Sequence, residues 1–116
     1  MDITIYHNPK CSKSRRTLAL IEEAGETPTI VEYLVNPPDV ATLRDIISCL
    51  GISAKALLRT KEAEFEQLNL GDESVDEQTM LAAMAAHPIL IERPIVVANG
   101  KAVIGRPPEN VKALLR

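Results

Sequence analysis

Cys11 lies in the stretch "HNPKCSKSRR", residues 7 to 16, after a short apolar run and a proline and just ahead of Lys13, Arg15 and Arg16. A cysteine that only packs prefers apolar neighbours. A thiol that reacts does so as a thiolate, and nearby cations or a helix N-terminus favour that form. His7, when protonated, would add to the same field. The motif "CSKS" is C-x-x-S, so the second thiol of a dithiol oxidoreductase is missing from it. Any redox reaction at Cys11 must then be completed by an external thiol. Asn8 and Ser14 could donate hydrogen bonds to a thiolate or a bound anion, and are equally suited to shaping the turn or packing.

Three further arginines stand out by position: Arg59 after "ALL", Arg93 before Pro94, and Arg106 in "GRPP". A planar guanidinium matches two oxygens at once, so several of them converging on a thiolate would hold a tetrahedral oxyanion. A phosphatase loop is excluded. It needs C-x₅-R around an encircling backbone, whereas Arg15 and Arg16 follow the cysteine too closely and no glycine lets the loop wrap. Cys49 falls at the edge of a helix's apolar face and reads as a packing residue. His87, before Pro88, reads as a helix terminus without chemistry.

The elements that must position these residues follow from pattern. "DITIYH" is a buried first strand over Ile3 to Tyr6, and "NPKCSKS" is a loop. From Ser12 or Ser14 a helix begins, with Thr17, Leu18, Ile21 and Ala24 on one face and Gly25 as its stop. "PTIVEYL" is a second strand, joined to the helix by a link short enough for a right-handed β–α–β unit with parallel strands. Asp39 caps the helix "VATLRDIISCLG", whose apolar face is Leu43, Ile46, Ile47 and Leu50. "ISAKALLRTKEAEFEQLNL" gives one or two short helices anchored by Leu57, Leu58, Phe65 and Leu68, and "SVDEQTMLAAMAAHP" another helix closed by His87 and Pro88. Residues of about 39–87 thus form an all-helical insertion between the second and third strands. Ile95 to Val97, Asn99-Gly100 and Ala102 to Ile104 form a hairpin with a type I′ turn. Pro107 and Pro108 open a last helix whose face is Val111, Leu114 and Leu115.

The whole reads as a single domain, residues 1–116, of α/β class: a thioredoxin-like fold with a four-stranded mixed sheet. In that fold the reactive thiol sits at a helix N-terminus, and Pro94 occupies the place of the cis-proline beside it. With 46% hydrophobic and 25% charged residues the chain can bury a core without disulfide or metal staples. A net charge of −3 argues against nucleic acid, and one Phe, two Tyr and no Trp argue against a base-stacking surface. The two cysteines have neither disulfide-framework nor zinc spacing. No segment has the length of a membrane span or a signal-peptide core, so a cytoplasmic protein is expected.

"ITIYHNPKCSKSRRTL", "PTIVEYLVNPP", "GISAKALLR", "HPILIERPIVV" and "GRPPE" together resemble successive motifs of the glutaredoxin-coupled arsenate reductase (ArsC-like) family, in family order and over nearly the whole chain. Ending at Arg116, the chain resembles the family's shorter branch. The resemblance implies a catalytic cysteine at Cys11, a histidine supporting it at His7, and an oxyanion-binding arginine triad at Arg59, Arg93 and Arg106. It implies arsenate as substrate, glutathione as co-substrate and glutaredoxin as partner; no bound cofactor or metal and a monomer are expected. Two other readings fit the same fold. One is a glutathione-linked thiol oxidoreductase whose arginines hold glutathione carboxylates. The other is a Spx-like partner-binding regulator, although such regulators commonly carry C-x-x-C and do not need all three arginines.

Overall fold

The computed structural model describes residues 1–115, and its backbone contacts divide the chain into two compact units: Met1–Asn36 with Arg93 onward, and Pro37–Glu92. The first unit holds a four-stranded sheet. Strand β1 (Ile3–His7) is parallel to β2 (Thr29–Glu32) and antiparallel to β3 (Ile95–Ala98), which in turn pairs with β4 (Lys101–Ile104), giving the order β2-β1-β3-β4. This is the mixed sheet of a thioredoxin-like fold. Helix α1 (Ser12–Glu23) makes the parallel connection from β1 to β2.

Side chains alternate along a strand, so Ile3, Ile5 and His7 share one face of β1, and all three are buried. Ile3 and Ile5 join Leu20 and Ile21 of α1, Val96 and Ala98 of β3, and Val111 and Leu114 in one core. The buried stripe of α1 is Ser14, Thr17, Leu20 and Ile21. Leu18 is only partly buried and Ala24, expected on the apolar face, is exposed as the C-cap. The helix ends at Gly25, whose φ of +85° suits glycine. The hairpin turn has φ of +54° at Asn99 and +75° at Gly100, the type I′ pattern expected of Asn-Gly.

Two expectations need correction. The second strand is shorter than "PTIVEYL", because after Glu32 the chain turns: the amides of Val35 and Asn36 both donate to the Glu32 carbonyl. The last helix, Pro108–Leu114, is 3-10 rather than α, although Val111 and Leu114 are buried as expected.

The second unit is built from helices. In α2 (Val40–Leu50) the Asp39 carboxylate accepts the Thr42 amide at 2.8 Å and Gly51 closes the helix with φ +68°. Helices α3 (Ala54–Leu57) and α4 (Ala63–Gln67) are short, and α5 (Glu77–Ala86) is capped by Asp76 and followed by a 3-10 turn at Pro88–Leu90. Leu57 and Leu58 are buried, but Phe65 is only partly so and Leu68 is exposed, while Leu70 supplies the buried anchor in its place. An isolated bridge between Leu58 and Ile91 interrupts the helical character. Among the described residues no helix is long and apolar enough to cross a membrane.

Candidate active site

Strand register decides what meets at the end of the sheet. Tyr6 pairs with Ile95, and Ile95 with Ile104. The residues that leave these strands are therefore neighbours: His7 and the loop to Cys11 from β1, Arg93-Pro94 leading into β3, and Gly105-Arg106 leading out of β4. The Gly105 amide donates to the Pro94 carbonyl at 2.9 Å, which closes the hairpin base. Both Arg93-Pro94 and Arg106-Pro107 are cis; the first was expected from the sequence and the second was not.

Gly105 owes its identity to this crowding. A Cβ there would lie 2.5 Å from Thr17 Oγ1 and 2.8 Å from Pro94 Cγ. Thr17 is fully buried one turn into α1, its hydroxyl donating to the Lys13 carbonyl at 2.8 Å. Helix, proline and hairpin base are thus pressed together at a point where only a hydrogen fits. Sequence reading placed Thr17 on the packed face of the first helix but missed Gly105, for which the glycine beside "RPP" was the one available signal.

Cys11 is the N-cap of α1, partly exposed, with extended backbone (φ −97°, ψ 123°). Its amide donates to the Asn8 carbonyl at 3.0 Å and its carbonyl accepts from Arg15 at 3.0 Å. The Cys11 side chain makes no capping hydrogen bond and the first turn holds no acidic residue. The first-turn N–H groups and the positive end of the helix dipole are accordingly unopposed beside the sulfur, an arrangement suited to an anion.

The loop is braced from three directions. Asn8 Oδ1 accepts the Lys10 amide at 3.0 Å, so Asn8 shapes the turn through both its oxygens. Arg15 Nη1 donates to the Pro9 carbonyl at 2.9 Å. Ser14, fully buried, accepts the Asn8 amide at 3.0 Å and shares a 2.6 Å hydrogen bond with His7 Nδ1, whose direction follows the ring tautomer. Arg16, counted in the sequence among the cations near the thiol, reaches away along the helix to Glu23 at 3.2 Å.

His7 would add to the field at the thiol only when protonated. Burial, the largest cause, and to a lesser degree Arg15 hold its pKa below the ordinary 6.5, with Glu32 opposing them. The lowered pKa favours the neutral ring at neutral pH, and the ring is held by its bond to Ser14.

Arg93 buries Nε and Nη1, while Arg106 is exposed. Arg59 belongs to the second unit. There its amide donates to the Leu90 carbonyl at 2.8 Å, its Nη1 lies 2.9 Å from Glu62 Oε2, and its Nε is 3.9 Å from Glu92 Oε1. Its fork is thus already facing carboxylates. Cys49 is a half-buried free thiol on α2, as its helical position suggested.

Known proteins resemble this chain over nearly its whole length. The chain is 49% identical over 115 residues to an arsenate reductase of Neisseria meningitidis serogroup A, covering 98% of each. It is 56% identical over 110 residues to the uncharacterised protein YfgD of Escherichia coli K12, covering 94% of this chain and 92% of that one. A solved arsenate reductase from Vibrio cholerae superposes with a TM-score of 0.97 at 51% identity, over 99% of this chain and 98% of that one. The ArsC family model matches residues 6–114, a span that runs from β1 through the Cys11 loop and both hairpin-base arginines, and on this footing the chain belongs to the ArsC family.

Proposed function

We propose that this protein is an arsenate reductase that works through a covalent Cys11–arsenic adduct, with glutathione and glutaredoxin supplying the electrons. The observation that carries the reading is the register that gathers the Cys11 loop, Arg93 and Arg106 at one end of the sheet. The arsenate reductases among its relatives support the choice of oxyanion.

In this reaction the Cys11 thiolate attacks arsenic(V), a sulfur–arsenic bond forms, and an arsenate oxygen leaves as water after protonation. Arg93 and Arg106 hold the remaining oxygens and offset the charge that builds on them, as do the first-turn N–H groups of α1. Arg59, the third arginine that the resemblance implies, belongs to the second unit, where it faces Glu62. A glutathione thiolate then joins the arsenic with loss of a second water. The glutaredoxin thiolate attacks that glutathione sulfur, a disulfide forms between them, and the electron pair of the broken sulfur–arsenic bond stays on arsenic, now arsenic(III). Water displaces Cys11 and arsenite is released. The external thiol is needed because the C-x-x-S motif supplies no resolving partner.

The test is arsenate-dependent NADPH consumption with glutathione, glutaredoxin and glutathione reductase. Turnover should be present in the wild type and absent in Cys11→Ser. Equal turnover in the two would remove Cys11 from the reaction, and a wild type without turnover would reject arsenate.

A further inference from the structure

Beside the nucleophile loop, within the first unit, lies a cleft of about 230 Å³ whose walls are His7, Pro9 and Lys10 on one side and Glu32, Leu34 and Val35 on the other. The reaction derived above does not use it. Beyond Glu32 its far wall is apolar and open: Leu34 is 43% and Val35 74% exposed, and Ile30 on β2 is 46% exposed. Exposed apolar residues gathered in one place mark a binding surface more often than scattered ones do. They are not held out by a loose loop, since the Glu32 carbonyl accepts both the Val35 and Asn36 amides, at 3.0 and 2.9 Å, and Tyr33 is buried between them in sequence. β2 is an edge strand, so its outer backbone groups are not committed to the sheet ladder and can meet a peptide backbone.

We infer that this cleft binds the thiol co-substrate, a small peptide thiol carrying both an ammonium and carboxylates, the chemistry of glutathione. The inference rests on the reductase reading for its co-substrate, and on the cleft for its location. The cleft carries one charge of each sign, Lys10 for a carboxylate and Glu32 for the ammonium, on opposite walls. Its volume falls below the ~300–1,000 Å³ of sites that enclose drug-sized ligands. It therefore takes one end of a tripeptide and leaves the cysteinyl thiol outside, and the lip that thiol reaches is the loop of His7 to Lys10, next in sequence to Cys11. The apolar wall at Leu34 and Val35 covers the methylenes of the γ-glutamyl arm.

S-methylglutathione, which cannot react, is the probe. Titrated into the full-length protein, it should give saturable NMR shifts at Lys10, Glu32, Leu34 and Val35. Affinity should fall about ten-fold or more in Val35→Asp and in Lys10→Glu, both exposed positions whose folding the same amide spectrum verifies. In the coupled assay the same variants should raise the glutathione KM far more than the arsenate KM. No saturable shift, shifts confined to other residues, or undiminished affinity in both variants would overturn the inference. So would shifts at Leu34 and Val35 that arise only with glutaredoxin, which would make this a protein-docking face. The two readings fail separately: a wild type that binds the probe in the cleft yet reduces no arsenate loses the reductase reading, and one that reduces arsenate without binding the probe there loses the cleft.

Discussion

At the scale of single residues, the site separates groups that touch the reacting atoms from groups that hold others in place. Arg93 belongs to the first kind in the proposed reaction, with two guanidinium nitrogens already buried. Arg93→Lys keeps the charge but loses the fork, and kcat/KM for arsenate should fall by about 10²-fold, the scale of losing an oxyanion donor. Unchanged kinetics would take Arg93 out of the site. Ser14 belongs to the second kind. It is fully buried and satisfies both the His7 ring and the Asn8 amide, so Ser14→Ala strands two polar groups at once. Urea unfolding of that variant should show a loss of about 1–3 kcal/mol. Cys11, the arginines and the missing second thiol could be singled out in the chain because residue type and short spacing are visible there. The lowered pKa of His7 could not, because it depends on burial and on Glu32, which reaches it only through the pairing of two strands.

At the scale of elements, the junction of α1 with the base of the β3–β4 hairpin sets the geometry of the end of the sheet that carries the Cys11 loop. Gly105→Ala forces a methyl against Thr17 and Pro94 and should destabilise the protein by about 1–3 kcal/mol, the cost of overpacking. Removing the obstruction should recover part of that loss, so Gly105→Ala combined with Thr17→Ala should be less than additive in chemical denaturation. Strict additivity would show that the close approach does not matter. Strands β1 and β3, the Asn99-Gly100 turn and the Asp39 and Gly51 ends of α2 were readable, since alternation, turn chemistry and caps act over a few residues. The 3-10 form of the last helix and the early end of β2 were not. Both depend on packing and hydrogen bonds that a helical or strand-like pattern does not encode.

For the molecule as a whole, pH dependence of stability gathers several groups with opposite chemistry. Burial lowers the pKa of His7, so the unfolded chain takes up that proton first. The stability linked to it is complete above pH 6.5 and falls as pH drops from there toward the lowered folded value. Asp39, Asp72 and Asp76 are held below the ordinary 3.8, chiefly by hydrogen bonds at Thr42, Ser74 and Thr79 respectively. Their contribution is present above 3.8 and is lost as pH falls through the lowered values. Urea midpoints should therefore decline first between pH 8 and 5.5 and again toward pH 3, and His7→Gln should flatten the first decline alone. A wild-type midpoint equal at pH 8 and 5.5 would contradict the burial of a neutral His7.

What the sequence by itself determined is local: a reactive-looking thiol ahead of a helix, a hairpin turn, capped helices, and an order of elements that admits few topologies, reinforced by motifs whose resemblance spans the chain. What only the tertiary structure decided is adjacency. That Arg93 and Arg106 leave the sheet beside the Cys11 loop follows from a register linking residues about ninety positions apart, and that Gly105 meets Thr17 follows from a helix packed on a hairpin base. The cleft between Lys10 and Glu32 likewise exists because β2 lies parallel to β1. The physical reason is range. Propensities, caps and turns are settled by neighbours along the chain, whereas register and burial are settled by which apolar faces fit together once the chain has closed on itself.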